Sequence, residues 1–417
     1  MKNIKKGISL VLVLIISASF CSCGIASPSK DLIMNDVHYL IKPKKSDKTY
    51  ISIKKNKKKS NVHNKIIKIV ILILFFVFIK KNFIDPISFN NIENKTNNDT
   101  NCVHVAVSVD NKFLYPCIIF ITSLLENRNP TTYYNIYLLT SPNIIFDYKD
   151  KINSLINKYE KKFINISYLN MNDDFKGSIT GTHVSIATYY KIALPSLLPN
   201  LDRVIYCDAD IISFKDLSQM YNLEQKDDIY MRGRLDNSHL LKELRRIGVI
   251  TDRYMNAGIL LMNLKSMRKN KVEQKIRIFI KSHYLDHHDQ TAINGVCHKN
   301  WDLLPLEYSS YFFRNYTNFV KFIENYGKKC QYSEREYQQA LNNQTLLHYC
   351  GWIKPWQLEY KHFTLIGKYW WYYAKQSGFY DEILEYYRFN KKDIEKIISM
   401  IPDDGGFIKN NFKKNCI

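Results

Sequence analysis

Asp208-Ala209-Asp210 directly follows the apolar run RVIYC at 203–207. Side chains alternate along a strand, so carboxylates two residues apart point the same way. Like charges at the edge of a core repel and lose hydration, and a cation relieves both problems. Oxygen ligands suit Mn²⁺ or Mg²⁺, and such an ion bridges a diphosphate. Acids at this spacing also occur as an ordinary solvated loop start. A second segment, HYCGWIKPW at 348–356, adds three useful groups. His348 is an imidazole able to complete a metal shell, and Lys354 is a cation able to pair with phosphate. Gly351 lets backbone approach a ligand closely. Alone, the same segment would equally make a structural turn around a buried Trp.

The elements that must position these residues are legible from apolar patterning. Val103–Val109, Asn135–Thr140, Asn165–Leu169 and Arg203–Cys207 read as short β-rich strands. Between them, Pro116–Glu126, Asp150–Lys162 and Tyr189–Leu198 carry helical spacing, the last closed by Pro199. This alternation predicts an α/β fold: a mainly parallel sheet with helices on both faces. Ligands of open α/β sheets bind beyond the carboxyl ends of the strands. That rule points to Asp110 after the first strand and Asp208 after the fourth. Asn256 and Gly258 read as shaping a turn before a strand at Ile259–Met262. His287 and His288 read as exposed helix-end residues. No glycine-rich phosphate loop and no internal repeat is present.

The chain has 417 residues and a net charge of +21, and the charge is uneven. Residues 1–100 hold 18 lysines against six acids. A basic start followed by the apolar run Ile8–Ile16 resembles a signal segment. A second run, Ile69–Ile79, is flanked by Lys65, Lys68, Lys80 and Lys81, whose stems can snorkel. It lies between a lysine-rich stretch (Lys42–Lys59) and an Asn-rich linker (Asn90–Asn101), which predicts a membrane-associating arm over 1–101. Lysine-rich loops stay cytosolic, so an arm lying in the interface keeps the rest of the chain on the cytoplasmic face. Zinc fingers, aromatic RNA-binding signatures and glycine-rich basic repeats are absent, which argues against nucleic acid as a partner. The nine cysteines form no CxxC pair and predict buried free thiols rather than a zinc site. The expected organisation is therefore the arm at 1–101, a catalytic domain at 102–380 and a basic tail at 381–417.

Several ordered motifs then align with one family. They are VAVSVDNKF with TSLLEN (105–127), HVSIATYYKIALPSLLP (183–199), RVIYCDADII (203–212), YMNAGILLMNL (254–264), DQTAIN (289–294) and HYCGWIKPW (348–356). In these the chain resembles the retaining glycosyltransferases of family 8, which include bacterial lipopolysaccharide galactosyl- and glucosyltransferases and glycogenin. The resemblance implies a GT-A fold, Rossmann-like, with a UDP-hexose donor, Mn²⁺ (or Mg²⁺), and a glycan or lipid-linked oligosaccharide acceptor at a membrane surface. Carried over by position, it makes Asp208, Asp210 and His348 the metal ligands. Asp110 and Phe113, with Ser108, match the nucleoside pocket, and Lys354 matches the lysine that meets the diphosphate. Ala209, Asn256, Cys350 and Gly351 match residues near the donor sugar, and Asp289 and Gln290 match its reacting face. Lys191 stands where an arginine is usual and loses the bidentate fork. Thr291 replaces the second Asp of a DQD triplet. Asp236 lies in surroundings that align poorly. An amide is a poor nucleophile, so retention is expected by front-face attack, with Asp289 and Gln290 stabilising oxocarbenium-like charge. The resemblance leaves room for a glycogenin-like or protein-directed enzyme and for a non-catalytic sugar-nucleotide binder.

Overall fold

The computed structural model describes residues 102–399, apart from 160–162, 172–174, 177, 179–184, 310–319, 322, 325–329, 352–353 and 358–363. Both apolar runs of the arm, the segment beyond 399 and the His183-Val184 end of one motif lie outside the described residues. Among the described residues, no helix is long and apolar enough to cross a membrane.

The described residues form nine strands: β1 (Cys102–Val109), β2 (Tyr133–Thr140), β3 (Ile164–Asn170), β4 (Arg203–Cys207), β5 (Ile211–Ser213), β6 (Met231–Leu235), β7 (Met255–Asn263), β8 (Trp301–Leu303) and β9 (Leu346–His348). The main sheet runs β3-β2-β1-β4-β7-β6-β8. β3, β2, β1 and β4 are mutually parallel. β7 is antiparallel to both β4 and β6, and β8 is parallel to β6. The expectation of a mixed, mainly parallel sheet is met.

The period-two pattern sorts side chains into two cores. Val103, Val105, Val107 and Val109 of β1 face one core together with Ile205, Cys207, Ile259 and Leu261. Val204, Tyr206, Leu260 and Met262 face the other. The first core is covered by α1 (Leu114–Glu126), which is apolar nearly all round and correspondingly buried. On the opposite face lie α3 (Val272–Ser282) and α4 (His288–Cys297), which follow α2 (Pro142–Lys158) in the chain. Three more helices, α5 (Thr364–Gln376), α6 (Tyr380–Tyr387) and α7 (Lys391–Ile398), return to the first core. Ile383, Leu384 and Ile394 are buried there, so the stretch expected to begin a basic tail at 381 opens with two helices of the folded body.

Three local expectations are corrected. Residues 189–198 form no continuous α-helix: Ile186–Ala193 is a 3₁₀ helix and only Leu194–Leu197 is α-helical. Asn256 and Gly258 lie inside β7, where all nine residues are buried, rather than in a turn before it. His288 is not exposed. It is buried with φ of 46° at the start of α4, while its neighbour His287 is exposed.

Candidate active site

The carboxyl ends of β1 and β4 are adjacent, since Val107 pairs with Cys207. Asp110 and Asp208 therefore emerge side by side. Asp110 caps the following 3₁₀ turn: its Oδ1 accepts from the backbone N–H of Lys112 (2.9 Å) and of Phe113 (3.0 Å). The half-buried Phe113 ring meets Trp356 edge-on at 6.0 Å.

His348 reaches the acid pair through a separate two-stranded sheet. β5 continues directly from the acid pair, and Ile211 pairs with His348 of antiparallel β9. The Asp210 carbonyl accepts from Tyr349 N–H at 3.0 Å. His348 Nε2 then lies 3.2 Å from Asp210 Oδ1 and 3.9 Å from Asp208 Oδ2. One ligand atom each from Asp208, Asp210 and His348 lies within 4.8 Å of the others. Gly258 makes this closeness possible. A Cβ there would fall 2.2 Å from His348 Cε1 and 2.8 Å from Asp208 Oδ2.

The residues fit a divalent cation. Asp210 Oδ1 is buried with the His348 imidazole 3.2 Å away, and two carboxylates crowded at the edge of a core are a condition that a cation relieves. Two carboxylates and an imidazole form a mixed oxygen and nitrogen donor set of the kind that takes a divalent cation. Burial pushes the Asp208 carboxyl up and its neighbour Asp210 adds to that, with Lys191 opposing; the net shift is upward. At Asp210 burial also pushes up, but Lys354 and His348 outweigh it and hold the group below the usual carboxylate range. Lys354 Nζ donates to Asp210 Oδ2 and to the Tyr349 carbonyl (2.7 Å). Its segment is anchored by Trp371 Nε1 donating to the Pro355 carbonyl at 3.1 Å.

Lys191 lies deep in the site and is 1% exposed. Its Nζ is 2.8 Å from Asp289 Oδ2, 3.3 Å from Asp208 Oδ1 and 2.9 Å from the Ala257 carbonyl. Burial lowers its pKa, yet Asp208 and Asp289 prevail and hold it well above the ordinary lysine value. It thus bridges the acid-pair side and the α4 side of the cleft. On α4, Asp289 also accepts from Thr188 Oγ. Gln290 is fixed at both ends of its amide. Its Oε1 accepts from Ala257 N–H (3.0 Å) and Asn256 Nδ2 (3.2 Å), and its Nε2 donates to Asp236 Oδ2 (3.2 Å). Asn256 Nδ2 donates to the same Asp236 oxygen at 2.9 Å.

These groups line one cleft of about 830 Å³. All fourteen residues singled out from the sequence contribute to its wall, including Ser108, Ala209, Cys350 and Gly351. Cys350 is exposed rather than a buried thiol, and Gly351 adopts φ of 90°, which favours glycine. Sequence reasoning undervalued Asp236, whose local motif aligned poorly but whose carboxylate joins Asn256 to Gln290. It missed Glu243 entirely, a buried acid behind α4 with no local motif to mark it.

Residues 104–359, more than half of the chain, match the family described as Glycosyl transferase family 8. The chain belongs to glycosyltransferase family 8. Its curated relatives include General stress protein A of Bacillus subtilis (strain 168), 23% identical over 62% of this chain and 89% of that protein. Another is the lipopolysaccharide 1,2-glucosyltransferase of Escherichia coli (strain K12), 26% identical over 62% of this chain and 74% of that one. Among solved structures, this family 8 chain resembles the galactosyltransferase LgtC in complex with donor and acceptor sugar analogues. The TM-score is 0.55 at 18% identity, over 66% of this chain and 95% of that one. It resembles the bifunctional glycosyltransferase WbbM with the same TM-score at 20% identity, over 68% of this chain and 51% of that one. These likenesses establish the GT-A fold of the family 8 chain.

Proposed function

We propose that this glycosyltransferase transfers a hexose, galactose or glucose, from a UDP-sugar to a glycan or lipid-linked oligosaccharide with retention of configuration. The observation that carries the reading is the convergence of Asp208, Asp210 and His348 beside Lys191 and Lys354 in a cleft that also holds Asp289 and Gln290. Asp208, Asp210 and His348 would hold Mn²⁺ (or Mg²⁺). When bound, that ion neutralises charge on a diphosphate leaving group.

The chain's own groups supply the rest. Asp110, at the β1 end, takes a uracil N–H, and Phe113 gives the base an aromatic face. Lys354 swings from Asp210 to meet the diphosphate as a charged donor. Asn256 and Asp236 hold sugar hydroxyls. Asp289, already fixed by Lys191 and Thr188, places negative charge near the anomeric carbon. Gln290, pinned by three side-chain hydrogen bonds, orients the sugar rather than attacking it, which favours front-face delivery of the acceptor hydroxyl. The lipopolysaccharide-directed relative supports this acceptor class, and the lysine-rich arm with its two apolar runs supports work at an anionic membrane surface.

The test is calorimetric titration of UDP with and without Mn²⁺, followed by a screen of UDP-hexoses for metal-dependent hydrolysis. Asp208→Asn, Asp210→Asn and His348→Ala should each weaken Mn²⁺-dependent UDP binding. Equal UDP affinity with metal and with chelator would remove the metal from the mechanism.

A further inference from the structure

Glu243 lies in the short helix Leu241–Arg246, outside every motif that carries the family resemblance. Its side chain is 5% exposed. A carboxylate can only accept, and four donors converge on this one. They are His287 Nδ1 (2.7 Å), Thr291 Oγ (2.7 Å), the backbone N–H of His287 (3.3 Å) and the backbone N–H of Asp286. All four belong to residues 286–291, the segment that contains Asp289 and Gln290. The Arg246 guanidinium is less directly engaged, standing 4.0 Å from Glu243 and 2.8 Å from Asp286.

The network extends one step further. Thr291 gives its hydroxyl hydrogen to Glu243, so at the 2.7 Å contact with Tyr254 the tyrosine must donate. Tyr254 immediately precedes β7, which carries Asn256 and Gly258 into the cleft. One carboxylate therefore ties together the turn before α4, the first turn of α4 and the start of β7. Position 291 holds threonine where the family resemblance places an acid. The missing negative charge is present in space after all, contributed by a different helix.

We propose that Glu243 is a positioning residue that replaces the acid absent at 291 and holds Asp289 and Gln290 against the donor sugar. This rests on the donor-sugar role proposed above for those two residues. On that reading Asp110, Phe113 and Lys354 hold the nucleotide and Glu243 touches none of them, so loss of Glu243 acts on turnover more than on donor affinity.

The experiment uses the full chain, calorimetry for UDP-sugar affinity, and donor turnover for kcat. Glu243→Gln should lower kcat at least tenfold with donor affinity within twofold. Adding Thr291→Asp to Glu243→Gln should recover most of the loss, because the charge returns beside the same donors. Thr291→Asp in the otherwise unaltered chain should be impaired, since it sets two buried carboxylates together. A Glu243→Gln chain with unchanged kcat, or one that Thr291→Asp does not rescue, overturns the proposal. If Glu243→Gln does not fold, Thr291→Val carries the comparison, with an unchanged kcat as the refuting result. Absence of any donor turnover in the unaltered chain would instead refute the reading of the site, and Glu243 with it.

Discussion

Gly258 provides the sharpest test of the metal-ligand geometry. Its backbone is ordinary strand, so alanine there meets no conformational strain, only the side chains it would touch. The added methyl would sit 2.2 Å from His348 Cε1, 2.9 Å from His348 Nδ1 and 2.8 Å from Asp208 Oδ2. Ordinary contact begins at 3.4 Å, so the imidazole must retreat by more than 1 Å. Overpacking of this kind costs about 1–3 kcal/mol, and the entropic gain of Gly→Ala in the unfolded chain offsets about 0.4–1 of it. The net loss of stability is modest. The effect on the ligand set is larger, because metal–ligand distances tolerate only about 0.2 Å. Gly258→Ala should therefore lower Mn²⁺ affinity by at least about tenfold, roughly 1.4 kcal/mol, in a calorimetric titration. Gly233→Ala is the control. Its methyl would meet Met255 at 2.5 Å, away from the acid pair, and should cost stability without touching the metal. If Gly258→Ala bound Mn²⁺ as tightly as the unaltered chain, Asp208 and His348 would not share an ion.

Lys191→Met leaves two carboxylates without their buried cation and should destabilise the fold by about 3–5 kcal/mol, read from the urea midpoint; an unshifted midpoint would show the pair to be dispensable. Asp289→Asn should lower kcat by about two to three decades with little change in donor affinity, and Gln290→Ala should be milder; changes confined to KM would make both simple binding groups. Hydrogen bonding to Glu243 raises the His287 pKa, so its contribution to stability is complete below the ordinary histidine value of about 6.5 and fades as pH rises through the raised value. Burial pushes Glu243 up, but its bonds from His287 and Thr291 hold it below the ordinary glutamate value; its contribution fades as pH falls through that depressed value. Urea unfolding across pH should show both slopes, and Glu243→Gln should flatten them.

The strands were legible because burial on two faces leaves a continuous apolar run, as in RVIYC, and their ends then located Asp110 and Asp208. Local sequence says less where tertiary contacts decide. The stretch 186–197 has helical spacing, yet most of it winds as 3₁₀ while its side chains fill the second core. Asn256 and Gly258 look like turn formers, but β7 is buried on both faces and the pair is enclosed within it. His288 looks like an exposed helix end and is buried. His348 carries no local mark of its partners. Its place beside Asp210 depends on pairing between β5 and β9, which pattern within either segment cannot supply. Glu243 is the extreme case, since all its donors come from another part of the chain.

The β5–β9 pairing also bears on when the site can exist. β5 leaves the ribosome with both acids in place, but the imidazole follows only after the whole of β6 to β8 and the segments between have been made. Closing so long an intervening loop is entropically costly, and the pairing is among the least local in the molecule. A nascent chain can therefore assemble β1 to β4 early and still lack the complete cluster of Asp208, Asp210 and His348. Competence arrives only with the last part of synthesis, so a prematurely terminated product would carry the acid pair without its imidazole.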